Sequence, residues 1–86
     1  MSHLDVIRSM PCALCELLGM QQTTPTEAHH IRDGAGLSQR AADVLAVPLC
    51  SEHHRGKHGV HGDRMAMRAA KVDELGLLAH TLEQLL

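Results

Sequence analysis

Apolar residues fall into short runs separated by turn-forming residues, and these runs predict a series of small elements. Residues 3–10 predict one or two helical turns that end at Pro11, because proline cannot continue a helix. Segments 26–31 and 44–49 predict two strands, since both are short and the second is an apolar run with two valines. Pro48 suits the edge or the end of the second strand.

The remaining segments predict loops and helices. Residues 16–25, with a glycine and a Gln/Thr/Pro run, predict a loop, and Ser38 is suited to cap a brief helix over 39–43. A helix is expected from near Cys50 to about His58, although three glycines weaken and bound it.

Two further helices are predicted near the C-terminus. Asp63 is expected to cap a helix over 64–72, and Asp73 one over 74–86. Leucines at spacings of three and four along the last helix predict one apolar stripe, formed by Leu75, Leu78, Leu82 and Leu85.

The composition indicates one small domain whose core needs additional stabilisation. The 86 residues include 13 Leu, 5 Val, 5 Met and 2 Ile but no Phe, Tyr or Trp. A core of this size rarely supplies more than about 3–5 kcal/mol, so a disulfide, a metal or a partner commonly adds to it. The missing aromatics disfavour base-stacking platforms, and no run of about 18 apolar residues predicts a membrane span.

Charge and cysteine content restrict the class further. The formal net charge of −2 does not indicate a global basic field, but residues 51–72 carry five basic against two acidic side chains. This segment fits a phosphate-bearing partner or a solvated helix face. An odd number of cysteines and no apolar leader near the start predict a reduced, cytoplasmic protein.

Two knuckles of equal length predict a structural zinc site. Cys12-x2-Cys15 and Cys50-x2-His53 use all three cysteines, and His53 completes a four-ligand Cys3His set. Three unrelated cysteines are the simplest alternative. A zinc finger built from Cys12, Cys15 and a His pair within 53–58 is another, but it would need a long insert.

The other histidines suggest a second site. On a strand, His29 and His30 would point to opposite faces, and on a helix His54 and His58 would share one face. His29, His54 and His58 could therefore hold a divalent ion and leave positions open for water and a phosphate oxygen. Two roles are open for His61: a loop residue without a specific function, or a substitute metal ligand.

His30 would then act as a general base, since a neutral imidazole can take the proton of an attacking water. Arg32, Arg55 and Lys57 lie near these histidines in sequence and could hold flanking phosphates. A solvated histidine-rich loop, or a second zinc without chemistry, is the alternative.

These pieces together resemble the HNH, or ββα-metal, nucleases of the small phage and prophage type. The resemblance covers about residues 12–62 and rests on Cys-x2-Cys, Ala28-His29-His30-Ile31, and Val47-Pro48-Leu49-Cys50 followed by His53-His54 and His58. It implies an α+β fold in which a β-hairpin and a helix bind one divalent ion. The sequence pattern adds a helical tail over 63–86, which completes a single domain. No asparagine exists in the chain, and Asp43 stands near the position of the family's asparagine, where it could brace the loop.

The resemblance implies a metal-dependent endonuclease that hydrolyses DNA, double- or single-stranded, in a bacterial or phage-infected cell. Nicking is expected from one site, and double-strand cutting from a homodimer or with a protein partner. Zinc would fill the Cys3His site, and Mg²⁺, Mn²⁺, Ni²⁺ or Zn²⁺ the histidine site. The alternative is a catalytically inactive, zinc-stabilised module that binds DNA or protein.

Overall fold

The computed structural model describes residues 2–31 and 45–86 of the chain. These residues form a small α+β structure in which helices surround a two-stranded antiparallel sheet. In chain order the elements are α1 (His3–Arg8), α2 (Ala13–Leu18), β1 (Thr26–His30), β2 (Ala46–Cys50), α3 (Ser51–Arg55), α4 (Met65–Ala70) and α5 (Glu74–Leu85).

The two predicted strands are present and pair with each other. β1 and β2 run antiparallel, with Ala28 opposite Pro48 and His29 opposite Val47. All five residues of β2 are buried, as its apolar run predicts, whereas β1 is mostly half-buried. The His29-His30 pair lies at the end of β1. The segment 32–44, which follows soon after in the sequence, lies outside the described residues.

The predicted loop over 16–25 begins too early. α2 continues to Leu18, which packs against the core, and the residues of its first turn, Ala13 to Cys15, are buried. Gly19 then ends it with a φ of 67°, a left-handed conformation that glycine adopts without strain. The predicted helix over 39–43, with Ser38 as its cap, lies outside the described residues.

The helix expected up to His58 is also shorter. α3 ends at Arg55, and a tight turn follows in which a side chain at Gly59 would stand 2.4 Å from the carbonyl oxygen of His53. Glycine at position 59 therefore leaves the space that the chain needs to fold back over α3.

The two C-terminal helices form, but with a different buried face than predicted. The carboxylate of Asp73 accepts a hydrogen bond from the amide of Gly76 and caps α5. α4 begins one residue later than predicted, with Arg64 at its N-cap position, and Asp63 accepts a hydrogen bond from the amide of Met65. α5 packs against β2 and α2 through Leu77 and Thr81, which are fully buried. Of the four leucines in the predicted stripe, Leu78 packs against the core, whereas the other three are exposed: Leu75, Leu82 and Leu85.

The core is aliphatic and sulfur-containing, as the composition predicts. Ile31, Val47, Leu49 and Leu77 are almost completely buried, together with the three cysteines. In the described part of the chain, no helix is both long and apolar enough to cross a bilayer.

Candidate metal centres

The two knuckles bring their four side chains into one buried group, which we call the Cys3His cluster. Cys12 caps α2 and Cys15 lies in its first turn, while Cys50 ends β2 and His53 lies in α3. At most 6% of the surface of each residue is exposed. A strand end and two helix starts therefore meet at the predicted zinc site.

The spacing of the four ligand atoms matches a tetrahedral zinc ion. His53 Nδ1 lies 3.5 Å from Cys12 Sγ, 3.4 Å from Cys15 Sγ and 3.4 Å from Cys50 Sγ, and the last two sulfurs are 3.9 Å apart. Zinc bonds of about 2.3 Å to sulfur and about 2.0–2.1 Å to nitrogen separate tetrahedral ligands by about 3.5–3.8 Å. The cluster therefore has the geometry and donors of a structural zinc site.

Burial makes proton release a condition of metal binding at this cluster. It raises the pKa of the Cys15 thiol to about 12 and also raises the pKa of Cys12. A metal binds the thiolate, so a divalent ion must displace these protons. Zinc affinity is therefore expected to fall as the pH is lowered.

A second group of metal-ligating side chains consists of His29, His54 and His61, which we call the three-histidine cluster. Each can offer a ring nitrogen within 4.8 Å of the other two. The ring centroids are 5.1 Å apart for His29–His54 and for His29–His61, and 4.8 Å apart for His54–His61. A strand, a helix and the turn after that helix thus converge on one point.

Backbone hydrogen bonds hold the turn that places His61 in the cluster. The amide of Val60 donates to the carbonyl of His53 at 2.8 Å, and that of His61 to the carbonyl of His54 at 3.0 Å. Val60 is 2% exposed and anchors the turn in the core. The Gly59-Val60-His61-Gly62 pattern was the sequence feature that could have indicated this turn, because its two glycines allow the chain to pass close to α3.

His58 lies outside this cluster, unlike the expected set of His29, His54 and His58. Its Nδ1 is 3.0 Å from Oδ2 of Asp63, and about half of its side chain is exposed. The physical reason is the early end of α3: because the helix stops at Arg55, His58 does not lie one helical turn beyond His54.

Two carboxylates contact the cluster, and neither was a candidate from the sequence. Glu74 Oε1, from the first turn of α5, lies 2.8 Å from His29 Nε2, and Glu27 Oε1 lies 2.8 Å from His54 Nδ1. Only the tertiary fold reveals the Glu74 contact, since 45 positions separate it from His29.

Electrostatic effects favour the ionised form of Glu27 and the neutral form of His29. Hydrogen bonds from Arg55 and His54 lower the pKa of Glu27 to about 2, so its carboxylate is ionised at neutral pH. Burial lowers the pKa of His29, with Glu74 partly opposing the shift. A neutral imidazole is the form that binds metal.

The three-histidine cluster opens into a cavity of about 380 Å³. His30, Arg64 and Glu74 line this cavity with the cluster. Nε of Arg64 donates to the carbonyl of Val60 at 2.9 Å, and its Nη2 lies 3.5 Å from Glu74 Oε1. The predicted base and one guanidinium therefore face the same space as the candidate ligands.

Two of the predicted phosphate-binding residues, Arg55 and Lys57, do not line the histidine cavity. Arg55 binds Glu27 through two hydrogen bonds of 3.0 and 2.6 Å, and Lys57 lines a separate, mostly apolar cavity. Arg32 and Asp43 lie outside the described residues. Among the described residues, the arginine that lines the histidine cavity is Arg64, which the sequence placed only within a basic segment.

Comparisons of the chain with protein-family models, with curated proteins and with solved structures found no match.

Proposed function

We propose that this protein is a metal-dependent endonuclease that hydrolyses DNA phosphodiester bonds at the three-histidine cluster. One observation carries the proposal: three convergent imidazoles share an open cavity with His30 and Arg64. Structural zinc sites are closed by four ligands, whereas catalytic sites keep a position for water or substrate. Three protein ligands beside a cavity fit the second class.

The residues of the cavity have distinct roles in this proposal. His29, His54 and His61 would hold a divalent ion, which when bound would act as a Lewis acid for the scissile phosphate and the leaving oxygen. His30 would take the proton of the attacking water. Arg64 would hold a phosphate oxygen, because guanidinium groups pair well with phosphate.

The order of elements supports an HNH-like interpretation. An antiparallel strand pair is followed directly by a short helix, and the histidines stand on β1 and α3. His61 takes the ligand role that the resemblance gave to His58. The bracing role of Asp43 stays a prediction, because it lies outside the described residues.

The charge distribution supports an enzyme that binds DNA weakly by itself. The net charge is −2, and basic side chains concentrate in 51–72, the segment that supplies His54, His61 and Arg64. Phosphate contacts by few cations give modest, salt-sensitive affinity. A homodimer or a partner protein would deliver the site to its substrate, in the cytoplasm of a bacterial or phage-infected cell.

Plasmid nicking with Mg²⁺, Mn²⁺, Ni²⁺ or Zn²⁺ tests the proposal. We expect His30→Ala to lower the nicking rate about 10²–10⁴-fold, the contribution typical of a general base. His58→Ala is the matched control, since it removes a nearby histidine outside the cluster. Equal nicking by the wild type and His30→Ala, or no nicking with any metal, would favour a zinc-stabilised binding module without catalysis.

A further inference from the structure

We propose that Glu27 is a positioning residue. It holds the ring of His54 so that Nε2 faces the ion position shared with His29 and His61. The inference rests on the proposed ion site, and it adds a residue that lies before the Ala28-His29-His30 motif and does not line the cavity.

Strand geometry places Glu27 beside the cluster. Side chains two positions apart point to the same face of a strand, so Glu27 and His29 share one face of β1. α3 packs against β1, and His54 stands over both residues. Its Nδ1 is 2.8 Å from Glu27 Oε1, and its ring centroid is 5.1 Å from that of His29.

The carboxylate of Glu27 is itself held in place. Nε of Arg55 donates to Oε1 at 3.0 Å, Nη2 of Arg55 donates to Oε2 at 2.6 Å, and Ser51 Oγ donates to Oε2 at 2.9 Å. Both oxygens therefore have partners besides His54, and a bidentate arginine fixes the orientation of a carboxylate. This contact also gives Arg55 a role other than binding phosphate.

Hydrogen-bond chemistry then determines which nitrogen of His54 can bind an ion. An ionised carboxylate only accepts hydrogen bonds, and a neutral imidazole has one N–H. In the neutral form of His54 the contact with Glu27 therefore favours the proton on Nδ1, which leaves the lone pair on Nε2, the other ring nitrogen. Carboxylate–histidine pairs of this kind orient metal ligands and increase their basicity.

Nitrogen NMR of the imidazole rings and titration with Co²⁺, both on zinc-loaded protein, test the proposal. We expect wild-type His54 to carry its proton on Nδ1, and Glu27→Ala to lose that preference. Co²⁺ affinity at the second site should fall about 10–100-fold in Glu27→Ala, the usual cost of losing such a partner. Glu83→Gln, an exposed carboxylate on α5, is the matched control.

Arg55→Ala gives a second variant that leaves the carboxylate in place but releases it. We expect a smaller loss of Co²⁺ affinity there, and this variant serves if Glu27→Ala does not fold. A proton on Nε2 in wild-type His54, or unchanged Co²⁺ affinity in the folded variants, overturns the role of Glu27. A wild type that binds no second ion overturns the proposed ion site whichever nitrogen carries the proton, so the two failures are distinguishable.

Discussion

The Cys3His cluster and the three-histidine cluster meet at α3, where adjacent residues serve different groups. His53 turns into the core toward the cysteines, while His54 turns toward β1 and the cavity, because successive helix positions differ by about 100°. The first cluster has four buried donors at tetrahedral separations. The second has three donors, one of them exposed, beside open space.

Under the proposed function, this difference would assign stability to one cluster and chemistry to the other, although both draw on one short helix. A closed set of four donors leaves no position for substrate, so an ion there contributes to folding. An open set of three leaves positions for water and phosphate. Changes at the two clusters should therefore have different consequences, although their ligands are neighbours in sequence.

The largest effect is expected from Cys50→Ser, or from removing zinc with a chelator. The variant loses a ligand in the core of a chain without aromatic residues, and zinc binding to small folds supplies about 10–16 kcal/mol at neutral pH. We expect loss of the cooperative thermal transition followed by circular dichroism. Retention of a wild-type melting curve without zinc would contradict a structural role.

A large effect on ion binding, with folding retained, is expected from His54→Ala. Removing one of three imidazoles should lower the affinity for the second ion at least about 100-fold and abolish nicking, while the tight zinc stays bound. Metal content after gel filtration, read with the melting curve, measures both outcomes. Simultaneous loss of both metals would mean that the clusters are not separable.

A direct comparison of His61→Ala with His58→Ala tests which histidine completes the second cluster. We expect His61→Ala to weaken Co²⁺ binding by at least about 100-fold, more than the loss of a ligand's hydrogen-bond partner costs, because it removes a ligand, and His58→Ala to leave Co²⁺ binding nearly unchanged. Titrations of the zinc-loaded proteins provide the measurement. The reverse ranking would restore the set of His29, His54 and His58.

The smallest effect is expected from Arg64→Met, which keeps the length of the side chain but removes its charge. DNA affinity should fall, and the slope of log affinity against log salt should decrease by about 1, with Co²⁺ affinity unchanged. Fluorescence anisotropy at several salt concentrations checks this. An unchanged slope would place the phosphate contact on another cation, with Lys57→Met as the comparison variant.

Much of the fold could be predicted from local patterns. The strands over 26–30 and 46–50 and the start of α5 at its Asp73 cap follow from the alternation of apolar runs with caps and turns. The stripe on α5 could not, because its leucines allow more than one inward face. Packing against β2 and α2 selected Leu77 and Thr81.

The sequence alone predicts the Cys3His cluster, because ligands with two residues between them reach one ion from a single turn, and four such donors are present. It also determined that His29 and His30 lie together on a strand. The fold was needed to show that His61, and not His58, joins His29 and His54. It was also needed to show that Glu27 and Glu74 contact these histidines. These contacts depend on where α3 ends and how α5 docks, and both are set by packing between segments distant in sequence.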